Sequence, residues 1–361
     1  MSVWSRLFGE KSESAKVQSN PEAARSFTAP SLGQPTTVLV SAGKLSVTFH
    51  AHDTVEGRQG NFFTAVTRGL AAVGQRELVL TLRADAAIDE DDVSGKLREV
   101  SRFFAVVFGW ARQRQFVDAG GVTQFGERAL FGRSRSGLLY ADARPIRDIE
   151  LPQRALVAIV ADEREVQTAL DYGSYRVLAR LGAELHHFPF PLWSELSRPS
   201  VATESENQSR LSNVARTRAP GVSFVVDDEH VQVTLSPSVK SLLGRGVAAL
   251  PPGAPFALLT KPAPSANAWL VWHPGQRDPL SISLDGVVAS RVTGSCLLIT
   301  PGGDENEGRS FEDGYALTLS EKSWLQLSSA LRQQRALSIG LNGGVTLELG
   351  WLPDEPSGSA A

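Results

Sequence analysis

The sequence predicts an α+β fold of two domains, with mixed or mainly antiparallel sheets and packed helices. Three observations lead there. Short apolar alternations separated by Gly-containing turns recur along most of the chain. A single long run from Val93 to Phe108 repeats its apolar residues every three to four positions. Finally, 361 residues suffice for two hydrophobic cores at roughly 100–200 residues per domain.

Residues 1–35 read as a flexible segment, because Ser, Ala, Gln and Pro dominate from Glu10 onward without periodicity. Within it Trp4, Leu7 and Phe8 are spaced for one face of a short amphipathic helix, flanked by Arg6 and Lys11, which could touch a membrane or a partner; the plainer alternative is a frayed terminus docked on the first domain. The first domain is expected over 36–197. It opens with a hairpin, Thr37–Ser41 and Leu45–His50, turning at Ala42-Gly43. A polar bend over His52–Gly60 leads to a strand in NFFTAVTR, a Gly-rich turn and a second strand through Leu78, Leu80 and Leu82. The acidic run Asp89–Asp92 suits the start of the Val93–Phe108 helix. Leu156–Val160 reads as a central strand, followed by a helix from Glu163, an interruption at Gly173 and a second helix stopping at Gly182. The prolines of ELHHFPFPLWSEL favour an edge or crossing segment.

The polar interval Arg198–Asn213 predicts a linker or surface connection. The second domain, 214–352, contains an internal resemblance: HVQVTLSPSVKSLLGRG and YALTLSEKSWLQLSSALR each run an alternating strand through Thr-Leu-Ser into an amphipathic helix, with Ser236 and Ser320 at the N-cap. Two strand–helix–strand units, either duplicated or merely alike, would follow. Residues 353–361 read as a flexible tail.

Composition narrows the function classes. Lys+Arg 36 against Asp+Glu 39 leaves a net charge of −3, so no global basic field favours nucleic acid. One cysteine excludes an internal disulfide framework and a zinc-finger cysteine cluster. With no secretory h-region and no span of eighteen apolar residues, a cytoplasmic protein is expected, with peripheral membrane contact only through Trp4, Leu7 and Phe8.

Chemistry-bearing motifs are sparse. His50 and His52 would share a strand face beside Asp53, but a metal needs further ligands, and none is expected. Cys296 lies in an apolar strand and reads as a small hydrophobe rather than a nucleophile. Asp227-Asp228-Glu229-His230 reads as a wet hairpin tip. There is no G-x-S-x-G elbow and no Gly-rich phosphate loop, so no catalytic residue and no cofactor is assigned. One local charge feature remains: Arg112, Arg114, Arg128, Arg133 and Arg135, continued by Arg144, Arg147 and Arg154, could bind phosphate groups of anionic lipid or nucleic acid. Nearby acids offset much of that charge.

Several phrases resemble, in order, the C-terminal region of the FYVE-finger endosomal adaptors SARA and endofin: GLAAVGQRELVLTLR, YRVLARLGAELHHFPFPLWSEL, RVTGSCLLITPGG and EDGYALTLSEKSWLQLSSALRQQ. Gly74, Gln75 and Glu77 match in the first, and Arg180, Leu181, Gly182, Ala183 and Glu184 in the second. The resemblance implies a noncatalytic protein-interaction or scaffold module, without the family's cysteine-rich finger. Physically, Gly74 and Gly182 suit backbone turns, while Glu77 and Glu184 suit pairing with arginines or capping of buried backbone. The alternative class is an enzyme or small-ligand sensor with an interdomain pocket.

Overall fold

The computed structural model describes residues 30–84, 90–126, 131, 136–239 and 253–353. Trp4, Leu7, Phe8, Arg128, Arg133 and Arg135 lie outside the described residues, as does the helix expected after Ser236 beyond its first turn, a 3-10 turn over Pro237–Val239.

The first half runs β1 (Thr36–Val40), β2 (Leu45–Val55), β3 (Arg58–Arg68), β4 (Leu78–Ala84), α1 (Glu90–Arg112), β5 (Val122–Gln124), β6 (Gly137–Asp142), β7 (Leu156–Ala161), α2 (Glu163–Tyr172), α3 (Ser174–Glu184) and β8 (Trp193–Glu195). Its strands form one mixed sheet in the order β1-β2-β3-β4-β7-β6-β5. The expected polar bend is tighter than its composition implied. Strands β2 and β3 continue through it and turn at Glu56-Gly57, pairing Val55 with Arg58. Strand β7 is buried along its whole length, as a central strand must be, and pairs parallel to β4 and antiparallel to β6. The Pro-rich segment supplies β8, which adds parallel to β4 at Thr81–Arg83, beyond the stretch that β7 occupies. The prolines precede the paired residues and withhold no ladder hydrogen.

Helices cover both faces of this sheet. Helix α1 places Val93, Leu97, Val100, Phe104 and Val107 against Leu45, Phe49, Leu78 and Leu80. On the other face α2 and α3 pack Val166, Ala169, Val177, Leu178 and Leu181 against Val79, Val157 and Ile159. Helix α2 starts with a reciprocal capping box, Asp162 accepting from the Glu165 N–H and Glu165 from the Asp162 N–H. Gly173 separates it from α3 at φ +95°, a conformation that suits glycine.

The second half runs β9 (Ala215–Arg218), β10 (Val222–Val226), β11 (His230–Leu235), β12 (Phe256–Leu259), β13 (Ala268–Val271), β14 (Leu280–Ser283), β15 (Val292–Thr293), β16 (Cys296–Gly303), β17 (Glu307–Phe311), β18 (Gly314–Ser320), α4 (Glu321–Gln333), β19 (Leu337–Gly340) and β20 (Thr346–Trp351). Two sheets result, β14-β13-β15-β10-β11-β20-β19 and β17-β18-β16-β12-β9. Their facing side chains, with Leu327, Ala330 and Leu331 of α4, make a core of Phe224, Val231, Leu297, Leu317 and Leu347. The fold class is therefore α+β with three sheets.

The two similar sequence units cross between these sheets in opposite senses. The first passes from β11 in one sheet to β12 in the other, and the second from β18 back to β19. Ser320 caps α4 by accepting from the Ser323 N–H.

Candidate interaction edge and the seam behind it

The halves meet across α3. Trp269 and Val271 of β13 join the apolar core that α3 makes with β7, and Trp269 lies 6.3 Å from Tyr175, ring centroid to ring centroid. Beside this contact sits a buried charge cluster. Arg176 of α3 is fully enclosed and donates through Nη2 to Glu312 Oε2 at 2.8 Å, with Asp313 Oδ1 at 2.5 Å from the same nitrogen. Arg180, one turn on, donates through Nε to the Trp272 carbonyl at 3.0 Å and pairs with Glu206. Glu312 also accepts from Ser209 Oγ at 2.7 Å and from the Arg210 N–H at 2.6 Å. Burial alone would push the Arg176 guanidinium toward its neutral form, but Asp313 and Glu312 outweigh it and hold the charge.

The interval Arg198–Asn213 is tied down at both ends of this seam. Arg198 forks onto the buried Glu165 carboxylate at 2.5 and 2.7 Å, and Val201 N–H donates to the same group at 3.0 Å. Leu211 is fully buried. The polar residues that read as a solvated connection instead supply ion pairs and hydrogen bonds directed inward.

The residues that carried the family resemblance have specific structural partners. Glu77 Oε1 accepts from the Gly69 and Ala71 N–H groups at 2.8 and 3.1 Å, and Oε2 from Thr67 Oγ1 at 2.7 Å. Gln75 bridges to Val117, donating to its carbonyl and accepting its N–H. Gly74 turns at φ +86°. Gly182 behaves differently from the expected helix stop. It lies inside α3, where a Cβ would stand 2.6 Å from the His187 carbonyl and 2.7 Å from that of Pro189. Glu184 is exposed at the end of α3, and Glu206 pairs with Arg180 instead.

Among the other predicted positions, Arg112 at the end of α1 and Arg114 just beyond it are exposed. Arg144 leaves the proposed basic surface altogether, pairing with Glu56 at 2.7 Å. His50 and His52 stack with ring centroids 6.0 Å apart, and among the described residues no group of three metal-ligating side chains forms. Cys296 is fully buried and its thiol is pushed up, by burial first and by Asp313 next, away from the thiolate a nucleophile needs. The hollow between β4 and α1, lined by Leu82, Val93 and Leu97, holds about 30 Å³, which is water-sized. Among the described residues no helix is long and apolar enough to cross a membrane.

An exposed apolar patch stands at one end of the second half. Strand β14 is the edge of its sheet, pairing only with β13. Leu280, Ile282 and Leu284 occupy alternate positions. Ile282 packs on the core shared with α3, while Leu280 is 53% exposed and Leu284 45% exposed. The turn that follows adds Val287 at 43% and Val288 at 81% exposure. No charge lies within the strand, and the flanking charges are Arg277, Asp278 and Asp285. Edge strands ordinarily carry charge, proline or a covering element against pairing with other chains; here Pro279 stands just before the strand, and the strand itself carries neither charge nor proline. Nothing in the residues Leu280–Ser283 signals that this strand would be an edge.

No protein-family model matches this chain, and no curated protein matches it. Among solved structures the chain is similar to the crystal structure of Drosophila Suppressor of Fused, at a TM-score of 0.34 and 11% sequence identity, over 86% of this chain and 89% of that one. A likeness of this depth assigns no function.

Proposed function

We propose that the protein is a noncatalytic interaction module, of the kind its resemblance to the SARA-type adaptors implies, and that β14 is its docking edge. The observation that carries this is the concentration of Leu280, Leu284, Val287 and Val288 at an uncharged strand edge. An incoming extended segment would complete the ladder through its backbone, while its apolar side chains at alternate positions would cover Leu280 and Leu284. Two acids and one arginine flank the strand, so a basic residue at the segment's end is favoured.

The test is selection of peptides from a random display library against the immobilised full chain. The expected result is a set of extended peptides, apolar at alternate positions, that lose binding to the variant Leu280→Lys/Val288→Lys. Peptides that bind this variant as well as the original would overturn the assignment. Both substitutions are at exposed positions, so folding is retained.

A further inference from the structure

Residues 280–284 read Leu-Ser-Ile-Ser-Leu, the same in either direction. Arg277 stands before this run and Asp285 after it, both exposed. An edge strand that meets a second copy of itself across a two-fold axis must be its own complement, because residue i faces j while j faces i. Antiparallel pairing centred on Ile282 meets that condition. It sets Leu280 opposite the second copy's Leu284 and Ser281 opposite its Ser283, and repeats both pairs on the other side of the axis. The two exposed leucines then cover each other on the face they share with Ile282. The same sense brings Arg277 of each copy to the end that carries Asp285 of the other, so opposite charges meet at both ends. A parallel pairing in register would bring Arg277 to Arg277 and Asp285 to Asp285.

The backbone fits the same pairing. Trp269 of β13 lies opposite Ile282, and Ala268 opposite Ser283. The Ala268 N–H points away from β14, donating to the Arg291 carbonyl at 3.3 Å beside β15. Hydrogen-bonded and non-hydrogen-bonded pairs alternate along an antiparallel ladder, so Ser281 and Ser283 turn their N–H and C=O groups to the open side. These are the residues that the two-fold pairing sets opposite each other, and each Ser281–Ser283 pair exchanges both of its backbone hydrogen bonds.

We propose that the partner of β14 is a second copy of this chain, joined antiparallel through Leu280–Leu284 about Ile282. The proposal rests on β14 being a docking edge and names what docks there. The run itself has the alternating apolar residues and the flanking basic residue that the edge favours in an incoming segment. Its five residues a side are fewer than the roughly 20–30 of a standard interface, so the pair forms reversibly with concentration. Other extended segments reach the edge by displacing the second copy.

Sedimentation velocity of the full chain at rising concentration and low salt tests this. The expected result is a concentration-dependent shift from one chain toward two, lost in Leu280→Lys/Val288→Lys. Arg277→Asp and Asp285→Arg, at exposed positions where folding is retained, each set like charges at both ends and should associate several-fold more weakly than the original. An equal mixture of these two variants restores association, because opposite charges meet again at both ends. A chain that stays single at every concentration, while selected peptides still bind β14, would overturn the second copy and leave the docking edge standing. Association that survives Leu280→Lys/Val288→Lys, or a mixture that associates no better than its two components alone, would overturn the Leu280–Leu284 contact.

Discussion

Arg176 of α3 and Glu312 of the β17–β18 turn meet at 2.8 Å with both side chains shut off from solvent, joining positions 136 residues apart. Removing one partner from such a pair leaves the other charged and unanswered, a loss of about 3–5 kcal/mol. Arg176→Met is therefore expected to lower the urea midpoint strongly. Arg176→Met with Asp313→Leu should lose less than Arg176→Met alone, because the Asp313 carboxylate that meets Arg176 Nη2 at 2.5 Å is no longer stranded, while Glu312 keeps Ser209 Oγ and the Arg210 N–H as donors. Arg176→Lys should not restore stability, since one ammonium cannot serve the spread-out acceptors of Glu312, Asp313 and Glu206.

Glu77 satisfies two backbone N–H groups and one hydroxyl at the turn after β3. Glu77→Ala is expected to destabilise by about 2–3 kcal/mol, because the Gly69 and Ala71 donors lose a charged acceptor. Glu77→Gln, which retains one carbonyl oxygen, should fall between. Thermal unfolding of the three proteins checks the order.

Gly182→Ala tests the close approach of α3 to the segment behind it. The added methyl meets two backbone carbonyls at 2.6 and 2.7 Å, and backbone atoms yield less readily than side-chain ends. The overpacking should outweigh alanine's helix preference and cost about 1–3 kcal/mol, read from chemical unfolding. A substitution that stabilises the chain would return Gly182 to the role of an ordinary helix residue.

The acid limb of stability has a separate contributor in Glu56. Burial pushes its carboxyl up, but the hydrogen bond from His187 at 2.9 Å and the Arg144 guanidinium outweigh that and hold it below the usual value of 4.5. A carboxylate depressed in the folded state stabilises above its unfolded value, and the contribution disappears as the pH falls through the folded one. Urea midpoints followed from pH 7 to pH 3 should therefore drop less steeply in Glu56→Gln than in the unaltered chain.

Local periodicity made the helices legible. The spacing from Val93 to Phe108, the N-cap at Ser320 and the break at Gly173 are properties of neighbouring residues, and all of them appear in the structure. The seam was not legible, because its ion pairs join Arg176 and Arg180 to acids brought near by the packing of the two halves. Arg198–Asn213 looked like a solvated connection for the same reason: a polar composition does not distinguish side chains facing water from side chains facing a buried guanidinium. The edge status of β14 depends on which strands pair, and no spacing within Leu280–Ser283 encodes that.

Docking at β14 is read out by hydrogen exchange at its amides, with and without a bound peptide selected for alternating apolar residues. Only two elements of β14 can pair, its inner ladder to β13 and its open side. Peptide binding is expected to slow exchange of the β14 amides that point away from β13 and to leave the β1 and β17 edges unchanged. Slowed exchange at another edge, with the β14 amides unaffected, would contradict it.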